Sequence, residues 1–178
     1  MKKNTLAMFG LVLGCLVLAG AVEPDGPPGV AQVVALDECD PTTFNAAIGP
    51  DFCKNVALGS ATTIQKLFDE AASGTPDPKW DFEPDTLSIG KGTILSVVDQ
   101  GGEPHTFTEV KQFGGGFIPG LNAGQPPAQE CAAGFSDVSV AKTRILQGST
   151  SQIAGLSKGV HYFQCCIHPW MRVKVEVK

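Results

Sequence analysis

Charge is scarce in this 178-residue chain: Asp, Glu, Lys and Arg make up only 17% of it, and the net charge is −5. No run of basic residues occurs, which excludes a dedicated nucleic-acid binder. Histidine and methionine are also few, three of each. That is too few for the His- or Met-rich surfaces on which metal carriers exchange ions. No G-X-Y period accompanies the glycines, so collagen is excluded. Glycine and proline are instead abundant, at 21 and 13 residues, which argues against a helical bundle. Hydrophobic residues reach 43%, too many for a disordered protein and enough for one domain with an extension. Six cysteines complete the count.

One uncharged apolar run stands out, Leu6 to Leu18. Lys2 and Lys3 precede it and Ala19-Gly20-Ala21 follows. The run is shorter than the ~20 apolar residues a membrane span needs. With its small-residue site, the segment predicts a cleaved signal peptide over residues 1–21. The mature chain would then be periplasmic or secreted, with no stable membrane span. A lipid anchor through Cys15, which follows Gly14, is the alternative. Five cysteines would remain, in a compartment where disulfides persist. Five is odd, so one of them is left for other chemistry.

The period of the sequence changes near residue 78. Residues 22–34 read as a linker. Asp40-Pro41 has the form of a helix N-cap followed by proline at the first position. Ala61, Ile64, Leu67, Phe68 and Ala71 form one helical stripe, with Thr62 and Gln65 at capping-box spacing and Gly74 as a stop. From Lys79 onward the pattern alternates with period two. Trp80 and Phe82, the run 93–98 and the stretch 105–110 all fit short strands, as do Val138 and Val140. In the last segment Met171, Val173, Val175 and Val177 share one face. Residues 111–135 are rich in Gly, Pro and Ala and read as a long loop. The expected fold is an all-β, antiparallel β-sandwich over 79–178. A short, partly helical acidic extension over 22–78 precedes it. Residues 22–86 hold 12 acids and 3 bases, whereas residues 87–178 hold 6 acids and 8 bases. The acidic part is either a solvated face or a dock for a basic partner.

Chemistry concentrates near the C-terminus. Cys165, His168 and Met171 are spaced by three and three between two strand-like segments. His105 opens a strand after the turn Gly101-Gly-Glu-Pro104. One thiolate, two imidazoles and a thioether match a trigonal blue-copper site with a weak axial methionine. A structural zinc site would want a fourth Cys or His. The other histidine, His161, reads as a surface strand residue. Adjacent Cys165 and Cys166 point to opposite faces of a strand, unlike the two spaced cysteines of a binuclear copper site. No His-x-His pair exists for a trinuclear copper cluster.

Cys165-Cys-Ile-His168-Pro-Trp-Met171, with Thr93-Ile-Leu-Ser-Val-Val98 and His105-Thr106 upstream, resembles the cupredoxins, and within them the amicyanin, plastocyanin and pseudoazurin group. The resemblance covers about residues 79–178. It implies a Greek-key sandwich holding one type-1 copper through His105, Cys165, His168 and Met171. The implied role is one-electron transfer between exported redox proteins such as a cytochrome, an oxidase or a dehydrogenase, not enzymatic catalysis. His168 would be the exposed electron port, with Pro169 and Trp170 as docking surface, although Trp170 fits equally as a core aromatic sealing the site. The alternative role is copper carriage or resistance without electron transfer. With Cys165 as ligand, four cysteines remain for two bridges. Cys39 with Cys53 and Cys131 with Cys166 is the pairing expected among the three that four cysteines allow.

Overall fold

The final strand shows how the pattern becomes a sandwich. In β10 (Arg172–Val177), Val173, Val175 and Val177 are buried while Lys174 and Glu176 face water, the period of two that a half-buried strand requires. The computed structural model describes residues 29–54 and 61–178. The signal-peptide reading and Cys15 lie outside the described residues.

Two four-stranded sheets carry the fold. One has the order β2 (Asp81–Glu83), β1 (Val30–Leu36), β4 (Ile94–Asp99), β8 (Thr150–Ile153). The other has the order β3 (Thr86–Ile89), β10, β9 (Gly159–Gln164), β6 (Thr108–Val110). A two-stranded pair, β5 (His105–Thr106) with β7 (Arg144–Ile145), accompanies them. Val33, Ala35, Phe82, Leu95 and Val97 of the first sheet meet Phe163, Val173 and Val175 of the second in one core. The sandwich predicted from the sequence is therefore present, with mixed sheets. β1 runs parallel to β4, from Val30 opposite Ile94 to Ala35 opposite Asp99, and β3 runs parallel to β10. Neither pair is joined by a hairpin; the chain makes a long excursion between the partners, which is what parallel pairing needs.

The linker reading of residues 22–34 is corrected where the chain is described. Val30–Leu36 is a strand of the first sheet, held between β2 and β4. Its Val33 and Ala35 are fully buried, so their burial, not the Pro/Gly-rich run before them, decides the conformation. Both predicted helices form. In α1 (Pro41–Ala47) Asp40 caps the Thr42 and Thr43 N–H groups and Phe44 is buried. In α2 (Ile64–Ala72) the cap is Thr63, which accepts from Lys66 N–H. Thr62, the expected cap, instead donates its hydroxyl to Asp77 Oδ2 at 2.7 Å. Val138 and Val140 do not form a strand. They lie in α3 (Val138–Lys142), because Asp137 accepts from the Ser139 N–H and starts a helical turn. Both expected disulfides are present, Cys39–Cys53 and Cys131–Cys166, which leaves Cys165 as the free and buried cysteine of the described residues. Two disulfides fit an exported protein. Among the described residues no helix is long and apolar enough to cross a membrane.

Candidate metal centre

Three strand ends bring the site together. The 105–110 stretch breaks at Phe107, so β5 pairs with β7 while β6 pairs with β9, and His105 turns inward. Cys165 follows the end of β9. The loop to β10 is closed by two backbone bonds, from Cys165 N–H to Met171 O and from Met171 N–H to His168 O, each 3.0 Å. Cys166 N–H donates to Thr106 Oγ1 at 2.7 Å and ties this loop to β5.

The donor atoms of His105, Cys165 and His168 lie within 4.8 Å of one another, and all three residues are buried. Cys165 Sγ stands 3.9 Å from His105 Nδ1 and 4.0 Å from His168 Nδ1. A metal bonded at about 2.3 Å to sulfur and about 2.0 Å to nitrogen in a trigonal plane separates these donors by about 3.7 Å. The donor set therefore fits one ion with little movement. Thr106 N–H and His168 N–H each donate to Cys165 Sγ at 3.5 Å. Burial pushes the Cys165 thiol up, but the hydrogen bonds and charges of His105 and His168 outweigh it and hold the thiol well below its ordinary range. The thiolate, the form that binds metal, is thus favoured. Met171 is fully buried and joins the same core. His161 is away from the site, as expected; its Nδ1 pairs with Glu109 at 2.7 Å on the outside of β9.

Residues that the motifs did not single out surround the cluster. Asp37, just past β1, has Oδ2 2.9 Å from His105 Nε2. It also accepts the Glu103 N–H at Oδ2 (3.0 Å) and the Cys39 N–H at Oδ1 (3.2 Å). Burial works to raise the Asp37 carboxyl; the hydrogen bond and charge of His105 and the backbone N–H groups outweigh it and hold it below the usual range. Glu103 Oε2 faces His168 Nε2 at 3.6 Å, while its Oε1 accepts from Trp80 Nε1 at 2.9 Å. Burial pushes Glu103 up to about 7, against the pull of His168. In the sequence they show only as an aspartate ending an apolar run and a glutamate two residues before His105, and neither feature sets them apart from the other acids.

The expected exposed edge at His168 is not found. His168 is 1% exposed, with Trp80 and side chains of α1 and α2 beside it. The Trp80 ring lies 6.2 Å from the His168 ring and Phe44 stacks on Trp80. Beside His168 and Glu103 lies a cavity of about 320 Å³ walled by Phe44, Leu67, Phe68 and Ile167. Pro169 is buried as well. Trp170 is half-buried, with its ring 5.6 Å from that of His168.

A free thiol and two imidazoles gathered at the strand ends of a two-sheet β-sandwich define a candidate mononuclear metal centre. No family model and no curated protein sequence matches the chain. Solved structures similar to it include a cupredoxin, a plastocyanin and amicyanins. A purple cupredoxin from Nitrosopumilus maritimus is 14% identical, with 83% of this chain and 99% of that one covered and a TM-score of 0.41. The oxidized plastocyanin of Dryopteris crassirhizoma is 15% identical over 83% of this chain and 100% of its own, with a TM-score of 0.39. A Cu(I) form of an amicyanin mutant is 15% identical over 55% and 73%, with a TM-score of 0.36. The fold and the site stand on their own strand order and geometry.

Proposed function

We propose that His105, Cys165, His168 and Met171 hold one type-1 copper ion, and that the protein carries single electrons between exported redox partners in the periplasm or outside the cell. The observation that carries this reading is the buried Cys165 thiol flanked by the Nδ1 atoms of His105 and His168 at 3.9 and 4.0 Å. Copper would supply the Cu(I)/Cu(II) couple. Thiolate and thioether are soft donors suited to Cu(I), and imidazole suits both states. The two N–H groups on Cys165 Sγ and the backbone bonds across the loop hold these donors in place, so a change of oxidation state meets a site that need not rearrange. Burial of all four side chains keeps water and substrates away, which favours a carrier over an enzyme.

With His168 covered, Trp170 is the partly exposed, half-buried side chain next to a ligand imidazole. Its exposed part would form the contact for a cytochrome, oxidase or dehydrogenase, in a small transient interface of under ~1,200 Å². The test is a visible spectrum of the purified protein titrated with Cu(II). An intense thiolate-to-copper band, bleached reversibly by a mild reductant, is expected. Cys165→Ser abolishes it, and Met171→Leu keeps the colour but changes the potential. A protein that stays colourless with copper, or a Cys165→Ser variant that keeps the band, refutes the reading.

A further inference from the structure

Each ligand imidazole has an outer nitrogen, and each outer nitrogen faces a buried carboxylate. We infer that Asp37 and Glu103 are positioning residues of the metal centre, which orient His105 and His168 and bias the site toward the more highly charged metal. The inference rests on the copper reading above and deepens it.

His105 must present an unprotonated Nδ1 to a metal, so its proton belongs on Nε2. An ionised carboxylate only accepts hydrogen bonds. Asp37 Oδ2, 2.9 Å from Nε2, therefore selects the Nε2–H form and fixes the ring. Asp37 is itself held, by the Glu103 and Cys39 N–H groups. The backbone of Gly101 lies against it so closely that a Cβ there would overlap the carboxylate. His168 has the looser version. Glu103 Oε2 is 3.6 Å from its Nε2, an ion-pair distance, and Trp80 anchors the other oxygen.

The carboxylates also carry charge, Asp37 fully and Glu103, which burial pushes up to about 7, in part at neutral pH. Both are almost fully buried, so water screens them weakly. Negative charge near a metal stabilises Cu(II) more than Cu(I). Replacing either carboxylate with its amide therefore weakens Cu(II) binding more than Cu(I) binding and raises the reduction potential. Loss of such an outer partner typically weakens metal binding 10- to 100-fold. Each tenfold change in the Cu(II)/Cu(I) affinity ratio moves a one-electron potential by about 59 mV.

The alternative is that Asp37 merely ties the end of β1 to the 101–103 turn. Asp37→Asn puts an amide donor against N–H donors, so it destabilises the metal-free fold on either account, and stability alone decides nothing. The test measures Cu(II) and Cu(I) affinities separately, by chelator competition on the full chain, together with the reduction potential. Wild type is compared with Asp37→Asn and with Glu103→Gln, whose side-chain oxygen can still accept from Trp80. The expected result is a tenfold or greater fall in the Cu(II)/Cu(I) affinity ratio for Asp37→Asn, a smaller fall for Glu103→Gln, and a higher potential in both. If Asp37→Asn does not fold, Glu103→Gln decides. Unchanged ratio and potential in the folded variants, with normal colour in the wild type, overturn the positioning role and leave the copper reading intact. A wild type that binds no copper overturns both.

Discussion

Asp99 ends β4 fully buried, and its surroundings do not suit a charge. Oδ1 accepts from Gly101 N–H at 2.9 Å, while Oδ2 has no hydrogen-bond partner among the described residues. Burial, with the Asp37 charge adding to it and His105 opposing, pushes the Asp99 carboxyl up to about 7. The unfolded chain titrates near 3.8. Between these values the native state holds a proton that the unfolded state has lost, so stability falls as pH rises from about 4 to about 7. At ~1.4 kcal/mol per pH unit the effect is on the order of a few kcal/mol. Asp99→Asn removes it. The metal-free variant is expected to have a higher urea midpoint than wild type at pH 8 and a flatter profile between pH 5 and 8, with Glu103 supplying the remaining slope. Parallel profiles for variant and wild type would rule out a buried, protonated Asp99. At this scale the sequence was legible only where residue type is rare. His105, Cys165, His168 and Met171 stand out because His and Met are few and their spacing is regular. Asp37, Asp99 and Glu103 are three among 18 acids. Their burial beside His105 comes from contacts spanning up to 68 residues, and no local pattern announces that.

Elements differ in how much of their information is local. β10 and the two N-terminal helices were readable because a side-chain period or a cap fixes each within its own segment. β1 was not, since what makes it a strand is the pairing with β2 and β4 on both edges. α3 is five residues long, and two valines spaced by two fit a strand as well as a helical turn. The 111–135 loop has little regular structure, and the Cys131–Cys166 disulfide fastens it directly behind Cys165. That bridge closes a separation of 35 residues, for which chain entropy gives about 4 kcal/mol. Replacing both cysteines with alanine is expected to lower unfolding stability by about that amount. The thiolate-to-copper band should survive, because Cys165, His105 and His168 are untouched and the loop keeps its Gln164 side-chain bond to Gly114 N–H. Loss of the band in a folded double variant would show that the bridge, rather than the sheet, sets the site.

At the scale of the whole molecule, the sequence draws a boundary near residue 78 that the packing does not respect. Composition and charge change there, but β1 lies in the middle of the first sheet and pairs with β4 over six residues. Asp37, which holds His105, and the α1 and α2 side chains beside His168 also precede the boundary. A chain starting at Lys79 would leave both β2 and β4 without their shared neighbour, with unpaired backbone groups along each. It would lose the fully buried Val33, Ala35 and Phe44 and expose the faces of Phe82, Leu95 and Val97. Full burial of one such large side chain is worth about 1.5–3 kcal/mol. Several of them together match the ~5–15 kcal/mol net stability of a typical domain. The fragment 79–178 is therefore expected not to fold: no cooperative thermal transition, collapsed amide dispersion in its NMR spectrum, and no thiolate-to-copper band. The full chain, by contrast, should melt as one unit and gain stability on metal loading, since an ion that binds only the folded state stabilises it by mass action. Cooperative melting of the isolated fragment with undiminished copper affinity would place the boundary back at residue 78 and reduce the extension to an attachment.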